Sequence, residues 1–141
     1  MKLRFIYLIV VAFLFTGCDK VPQNYDEVYD LFITKQWDLD YIMEDRGGGP
    51  VLYNDNYNTT TLLFNPNQTL FIEVNGKDYV GSWKLETVKS SLHLVIDIPD
   101  LKYISRDWVI TDIYGWGYEE IRVVVKTYDF DRGINMEMGL N

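Results

Sequence analysis

Few side chains in this sequence have both the type and the spacing that chemistry requires. His93 is the only histidine. A histidine general base needs a serine or cysteine nucleophile within reach, but His93 lies between Leu92 and Leu94 with no such pattern nearby. Its place in an alternating run puts it on the outer face of a strand. Asp38/Asp40 and Asp129/Asp131 could imitate the paired carboxylates of a glycosidase. Their i, i+2 spacing on a strand puts each pair on one face, most simply the wet one. Asn54-Asp55-Asn56 offers oxygens to a calcium ion, yet it lacks the glycine and closing glutamate of an EF-hand loop. Cys18 is the single cysteine, so no internal disulfide can form, and no Cys/His cluster has metal-ligand spacing. The sequence therefore reads as non-enzymatic, with no catalytic residue, no metal set and no cofactor.

Cys18 has a different context. A short basic start, Met1-Lys2-Leu3-Arg4, leads into eleven apolar residues from Phe5 to Phe15. That run is too short to span a bilayer as a helix, but it suits a signal-peptide core. It ends in Phe15-Thr16-Gly17-Cys18, which resembles the lipobox of bacterial lipoproteins, with Phe15 where leucine is usual. The resemblance implies cleavage after residue 17 and acylation of Cys18 as the new N-terminus. Each buried methylene contributes about 0.8 kcal/mol, and two or more chains hold a protein on a membrane stably. Residues 1–17 are then a leader and 18–24 a lipidated tether. The protein is expected in the bacterial cell envelope, anchored by Cys18, on the outer membrane.

Composition bounds the rest. The 141 residues carry a net charge of −8, and losing Lys2 and Arg4 with the leader deepens it. No basic stripe exists to meet a phosphate backbone, so nucleic acid is excluded as a partner. Aromatics make up 16% of the chain, and Gly, Asn and Asp break the apolar runs at short intervals. That pattern predicts an all-β domain rich in tight turns.

The elements follow from periodicity. Asn24 before Tyr25-Asp26-Glu27 is a helix cap with acids in the first turn. Val28, Leu31 and Phe32 at i, i+3, i+4 predict a short helix over residues 25–33, packed on one end of the sheet. Trp37, Leu39, Tyr41 and Met43 alternate with Asp38, Asp40, Ile42 and Glu44 as a first strand, the former set facing inward. Residues 46–58, with Gly47-Gly48-Gly49-Pro50, read as a long loop, of the kind that often serves function. Thr60-Thr61-Leu62-Leu63-Phe64 and Thr69-Leu70-Phe71-Ile72-Glu73-Val74 form a hairpin. Asn75-Gly76 is the cheapest type I′ turn, since both central residues need φ > 0. After it, Tyr79, Gly81, Trp83 and Leu85 face one way and Asp78, Ser82, Lys84 and Glu86 the other. Leu92, Leu94, Ile96 and Ile98 face inward on the next strand. Leu101 to Ile104 reads as a short strand. A further strand from Asp107 to Ile113 has competing faces, Trp108/Ile110 against Val109/Ile113. Ile121, Val123 and Val125 mark the last strong strand, and residues 128–141 read as a C-terminal tail or edge extension. Eight strand signals predict an antiparallel up-and-down barrel over residues 34–127, because closure removes two exposed edges.

Three stretches carry a family resemblance: Lys35-Gln36-Trp37-Asp38-Leu39, Leu63-Phe64-Asn65-Pro66-Asn67-Gln68-Thr69-Leu70 and Tyr79-Val80-Gly81-Ser82-Trp83-Lys84-Leu85. Together they resemble the lipocalin-like domain of small Gram-negative bacterial lipoproteins, over about residues 33–127. The family's hairpin turn usually carries glycine where this chain has Gln68. The resemblance implies an eight-stranded lipocalin-like barrel with an apolar pocket and no catalytic residues to carry over. The expected function is binding of a small apolar or amphipathic molecule; the alternative is docking on another envelope protein. Five aromatics are candidate contacts in either case: Tyr114, Trp116 and Tyr118 in a glycine-punctuated excursion, and Tyr53 and Tyr57 in the 46–58 loop.

Overall fold

A computed structural model of the chain describes residues 24–53, 57, 59–115, 120–129 and 133–141. One helix, α1 (Tyr25–Thr34), precedes nine strands: β1 (Gln36–Asp45), β2 (Pro50–Leu52), β3 (Thr60–Phe64), β4 (Thr69–Val74), β5 (Lys77–Val88), β6 (Ser91–Asp97), β7 (Asp107–Tyr114), β8 (Arg122–Asp129) and β9 (Ile134–Leu140). All pairings are antiparallel: β1 pairs with β2, β3 and β9, and from β3 to β9 each strand pairs with the next. β1 and β3 through β9 thus close an eight-stranded up-and-down barrel, with β2 an extra strand on the end of β1.

The local chemistry explains each element. The Asn24 side chain accepts from the Glu27 N–H at 3.0 Å, satisfying an otherwise orphaned helix donor. Asn75 and Gly76 have φ of +51° and +79°, the pair of values a type I′ turn needs. Gln68 sits at φ +66°, so the hairpin position where glycine is usual keeps its left-handed backbone without glycine. Gly81 is required by close approach: a Cβ there would lie 2.3 Å from the Asp97 carbonyl oxygen and 2.4 Å from Ile98.

Three expectations are corrected. Tyr41 and Met43 do not follow Trp37 and Leu39 inward. A register shift between Leu39 and Tyr41 turns Ile42 and Glu44 to the interior instead, because an extra residue in one strand flips every side chain beyond it. A second shift, between Ile110 and Asp112, resolves the competing faces of β7: Trp108, Ile110 and Ile113 all pack on the core. Residues 101–104 form turns rather than a strand. Ile104 N–H donates to the Leu101 carbonyl at 2.9 Å, and the i, i+3 spacing buries both side chains. The eighth barrel strand is β9, so within the expected tail or edge extension Ile134–Leu140 is instead a paired barrel strand. Ile134, Met136, Met138 and Leu140 alternate inward between β8 and β1.

Val28, Leu31 and Phe32 seal one end of the barrel. Phe32 packs on Trp37, Phe64 and Trp83 at ring separations of 5.4, 5.0 and 6.2 Å, and Tyr29 stacks on Trp83 at 5.4 Å. The Trp83 indole donates to the Asn65 carbonyl at 2.9 Å, tying β5 to the β3–β4 turn. Trp83→Ala is expected to cost about 3–5 kcal/mol, the range for a large aromatic lost from a packed interior. Ser82→Ala, on the outer face, is expected to be nearly neutral. Denaturant midpoints of the two variants measure the contrast, and equal midpoints would refute this register.

Candidate functional site

The barrel has two chemically different ends. At the end opposite α1, the strands deliver charge into the interior. Glu44 is fully buried, carried inward by the β1 register shift. Its Oε2 accepts from Arg46 Nε at 3.0 Å, Arg46 Nη2 at 2.8 Å and the Tyr53 hydroxyl at 2.8 Å. Arg46 Nη2 also donates to the Tyr53 oxygen at 2.8 Å. A buried carboxylate needs such partners, since an unpaired one costs several kcal/mol. Tyr53 stacks on Tyr103 at 5.1 Å, so the segment after β2 meets the turns after β6 across this mouth. Tyr57 packs on the same core, and burial raises its phenol above the ordinary value, with Tyr103 and Tyr79 adding to the shift.

A second buried carboxylate with an arginine partner lies at this end. Asp129, expected on a wet face with Asp131, is instead buried and bonded to Arg106 Nη1 at 3.0 Å. Asp129 continues the inward phase of Val123 and Val125 to the end of β8, where β9 pairs with it. Arg106 Nε and Thr60 Oγ1 are buried polar atoms without a hydrogen-bond partner among the described residues. Asp131 lies outside the described residues, as do Asn54-Asp55-Asn56.

The other candidates lie apart. Tyr114 ends β7 at the α1 end, 48% exposed, on the rim of an outer cleft of about 700 Å³ shared with Lys35, Asp38, Glu120 and Arg122. Burial lowers the Lys35 ammonium, opposed by Asp38, and its Nζ sits 4.2 Å over the Trp37 ring. Trp116 and Tyr118 lie outside the described residues, as does Cys18. The five aromatics are therefore not one site: Tyr53 and Tyr57 belong to the far mouth, Tyr114 to the helix end. A smaller cleft of about 260 Å³ also lies on the outer wall, beside Met43, Lys126 and Glu137. There Tyr41 donates to Glu137, and burial followed by that bond raises its phenol.

His93 faces outward and meets Asp107 at 2.8 Å, an exposed cross-strand pair with no nucleophile beside it. Asp38 and Asp40 are exposed, and Arg122 approaches Asp40 at 3.7 Å. Glu44 and Arg46 were missed from the sequence because Glu44 falls on the polar phase of β1 until the register shift reverses it. The i, i+2 acid–arginine spacing was the available signal.

Comparison of the chain with protein-family models, with curated proteins and with solved structures finds no match. The geometry thus stands alone. Tyr53→Phe removes one donor from a fully buried carboxylate and is expected to cost about 1.5–3 kcal/mol, the range for a hydrogen bond to a charged group. Tyr114→Phe, at an exposed position, is expected to change the unfolding midpoint little. Equal midpoints for both variants would show that Tyr53 does not hold Glu44.

Proposed function

We propose that this chain is a lipid-anchored lipoprotein of the bacterial cell envelope whose lipocalin-like barrel works as a non-catalytic docking module. The observation that carries the reading is the state of the interior. Trp37, Trp83, Trp108, Phe64, Leu62, Leu70, Ile72, Leu94 and Ile96 point inward and are buried to within 2%. An eight-stranded barrel has room either for its own side chains or for one small ligand. Here α1 plugs one end, and the Tyr53–Tyr103 stack crosses the other. Both clefts described above open on the outer wall and not into the barrel interior.

Binding of a small apolar or amphipathic molecule is the second reading, and one observation favours it. Among the described residues Thr60 Oγ1 and Arg106 Nε are buried without partners, and unmatched polar atoms of this kind suit a ligand's hydrogen bonds. The anchor rests on the leader and on Cys18, which resemble those of bacterial lipoproteins.

Native mass spectrometry of the full chain, extracted from its membrane in mild detergent, separates these readings. A lipidated mass bound to a stable protein partner is expected; a co-purified small molecule without a protein partner would favour the container. Cys18→Ala is expected to leave an unprocessed precursor or to release the protein from membranes. Normal processing with membrane retention in that variant would remove the anchor from the proposal.

A further inference from the structure

The outer wall formed by β3, β4 and β5 carries an apolar row that the barrel itself does not need. Leu63 is the cross-strand partner of Phe71, and Phe71 is the partner of Val80. All three face solvent, at 40%, 47% and 58% exposure. Adjacent strands lie about 4.7–4.9 Å apart, so these side chains form one continuous band across three strands. Single exposed apolar residues are ordinary; a contiguous row that includes a phenylalanine is a candidate contact surface, to be judged with the charges beside it.

The rows on either side decide what could cover it. Toward the far mouth lies Thr61, then Glu73 directly opposite Asp78. Like charges directly opposite one another destabilise a sheet. Neither carboxylate makes an ion pair among the described residues. The nearby cations of β5 are engaged elsewhere: Lys84 pairs with Glu86 at 2.6 Å, and Lys77 sits 4.8 Å over the Tyr79 ring. Toward the helix end lies the row Thr69, Ser82 and Asp97, which again holds no cation. The same face of a second copy would therefore set carboxylates against carboxylates or hydroxyls. An anionic lipid surface would be repelled. A basic protein segment is complementary to both features at once, because its apolar side chain covers the row and its cations neutralise the pair.

We propose that the outer face of β3–β4–β5 docks a basic protein segment, with an apolar side chain on the Leu63–Phe71–Val80 row and lysines or arginines against Glu73 and Asp78. The proposal rests on the docking reading above and names its surface and the chemistry of its partner. The Glu73–Asp78 repulsion is then a cost borne by the free barrel and relieved in the complex.

Photo-crosslinking in the cells that make the protein tests this. The full chain carries p-benzoylphenylalanine in place of Phe71 or, separately, in place of Tyr114. At Phe71 one protein adduct is expected, joined through a peptide with an apolar residue flanked by lysine or arginine. Its yield should fall at least tenfold in the E73K/D78K background. E73K alone should weaken the adduct while raising the unfolding midpoint of the purified protein, which a merely misfolded variant would not do. An adduct with a second copy, an adduct with lipid, no adduct, or one indifferent to charge reversal would each overturn the proposed face. Protein adducts at Tyr114 alone would sink this face and leave docking intact. No protein adduct at either position, together with a co-purified small molecule, would sink docking itself.

Discussion

The seam between β1 and β9 is the constraint on which the rest of the structure depends. Without it the sheet would have two open edges, each a row of unpaired amide and carbonyl groups. The ladder runs from Leu39 opposite Leu140 to Asp45 opposite Asn135. Reciprocal bonds of 2.9 and 3.0 Å between the backbones of Asp38 and Asn141 extend it by one step. β1 also holds β3 through Gln36–Asp38, so its register shift after Leu39 separates the part paired with β3 from most of the part paired with β9. On the outside, Tyr41 lies across Gly139, where a Cβ would come 2.4 Å from its ring. Its hydroxyl reaches Glu137, and Lys126 of β8 reaches the same carboxylate at 3.1 Å. Three strands are therefore bonded by side chains over the closing joint as well as by backbone.

Closure also decides what the interior can be. Inside the seam Met136 and Met138 meet Glu44 and Ile42, and the unbranched methionines fill space that a bent strand leaves irregular. Three tryptophans occupy the core, and each indole N–H finds a backbone carbonyl: Trp37 to Phe32 at 3.2 Å, Trp83 to Asn65 at 2.9 Å, Trp108 to Ile104 at 2.8 Å. All three acceptors lie outside the strands, in the helix or in turns, so the same bonds that satisfy the rings pin the connections to the barrel ends. A buried indole without such a partner would carry the cost of an unmet donor. The helix plug and the turns after β6 are held by this means in addition to apolar packing.

Most of the fold was legible because period-two alternation is a strong signal when nothing interrupts it. β4, β5 and β6 read correctly from their residues, and Asn24 and Asn75-Gly76 announced the helix start and the tight turn. Failures came where a single residue was inserted into the alternation. In β1 and β7 the shifts at Leu39/Tyr41 and Ile110/Asp112 move later side chains across the sheet, and no residue type at those positions advertises it. Leu101 and Ile104 illustrate a second limit, since two apolar residues three apart fit a turn as well as a strand. β9 illustrates a third: Ile134, Met136, Met138 and Leu140 do alternate, but methionine and the Asp- and Gly-rich approach lowered their strand signal. The candidate site suffered most, because Glu44 depends on a register shift and Asp129 on β8 running on into its pairing with β9. The outer row had a clue in Leu62-Leu63-Phe64 and Leu70-Phe71-Ile72, where apolar residues occupy both phases of a strand.

The acidic balance of the chain takes on meaning once its carboxylates are located. Within the barrel the fold pairs them: Glu44 with Arg46, Asp129 with Arg106. Desolvation makes that pairing obligatory, since an interior carboxylate without a cation would neutralise itself or unfold the site. On the wall water performs the screening, and an unpaired carboxylate costs little there. Solvation alone therefore accounts for most of the surface acids, including Asp38 beside the helix end. It does not account for Glu73 directly opposite Asp78, next to an exposed phenylalanine, on strands that could have carried a lysine in either place. A sheet optimised only for its own stability would alternate charge across that pair. The arrangement is more economical for a surface that spends part of its life covered by a partner of opposite charge.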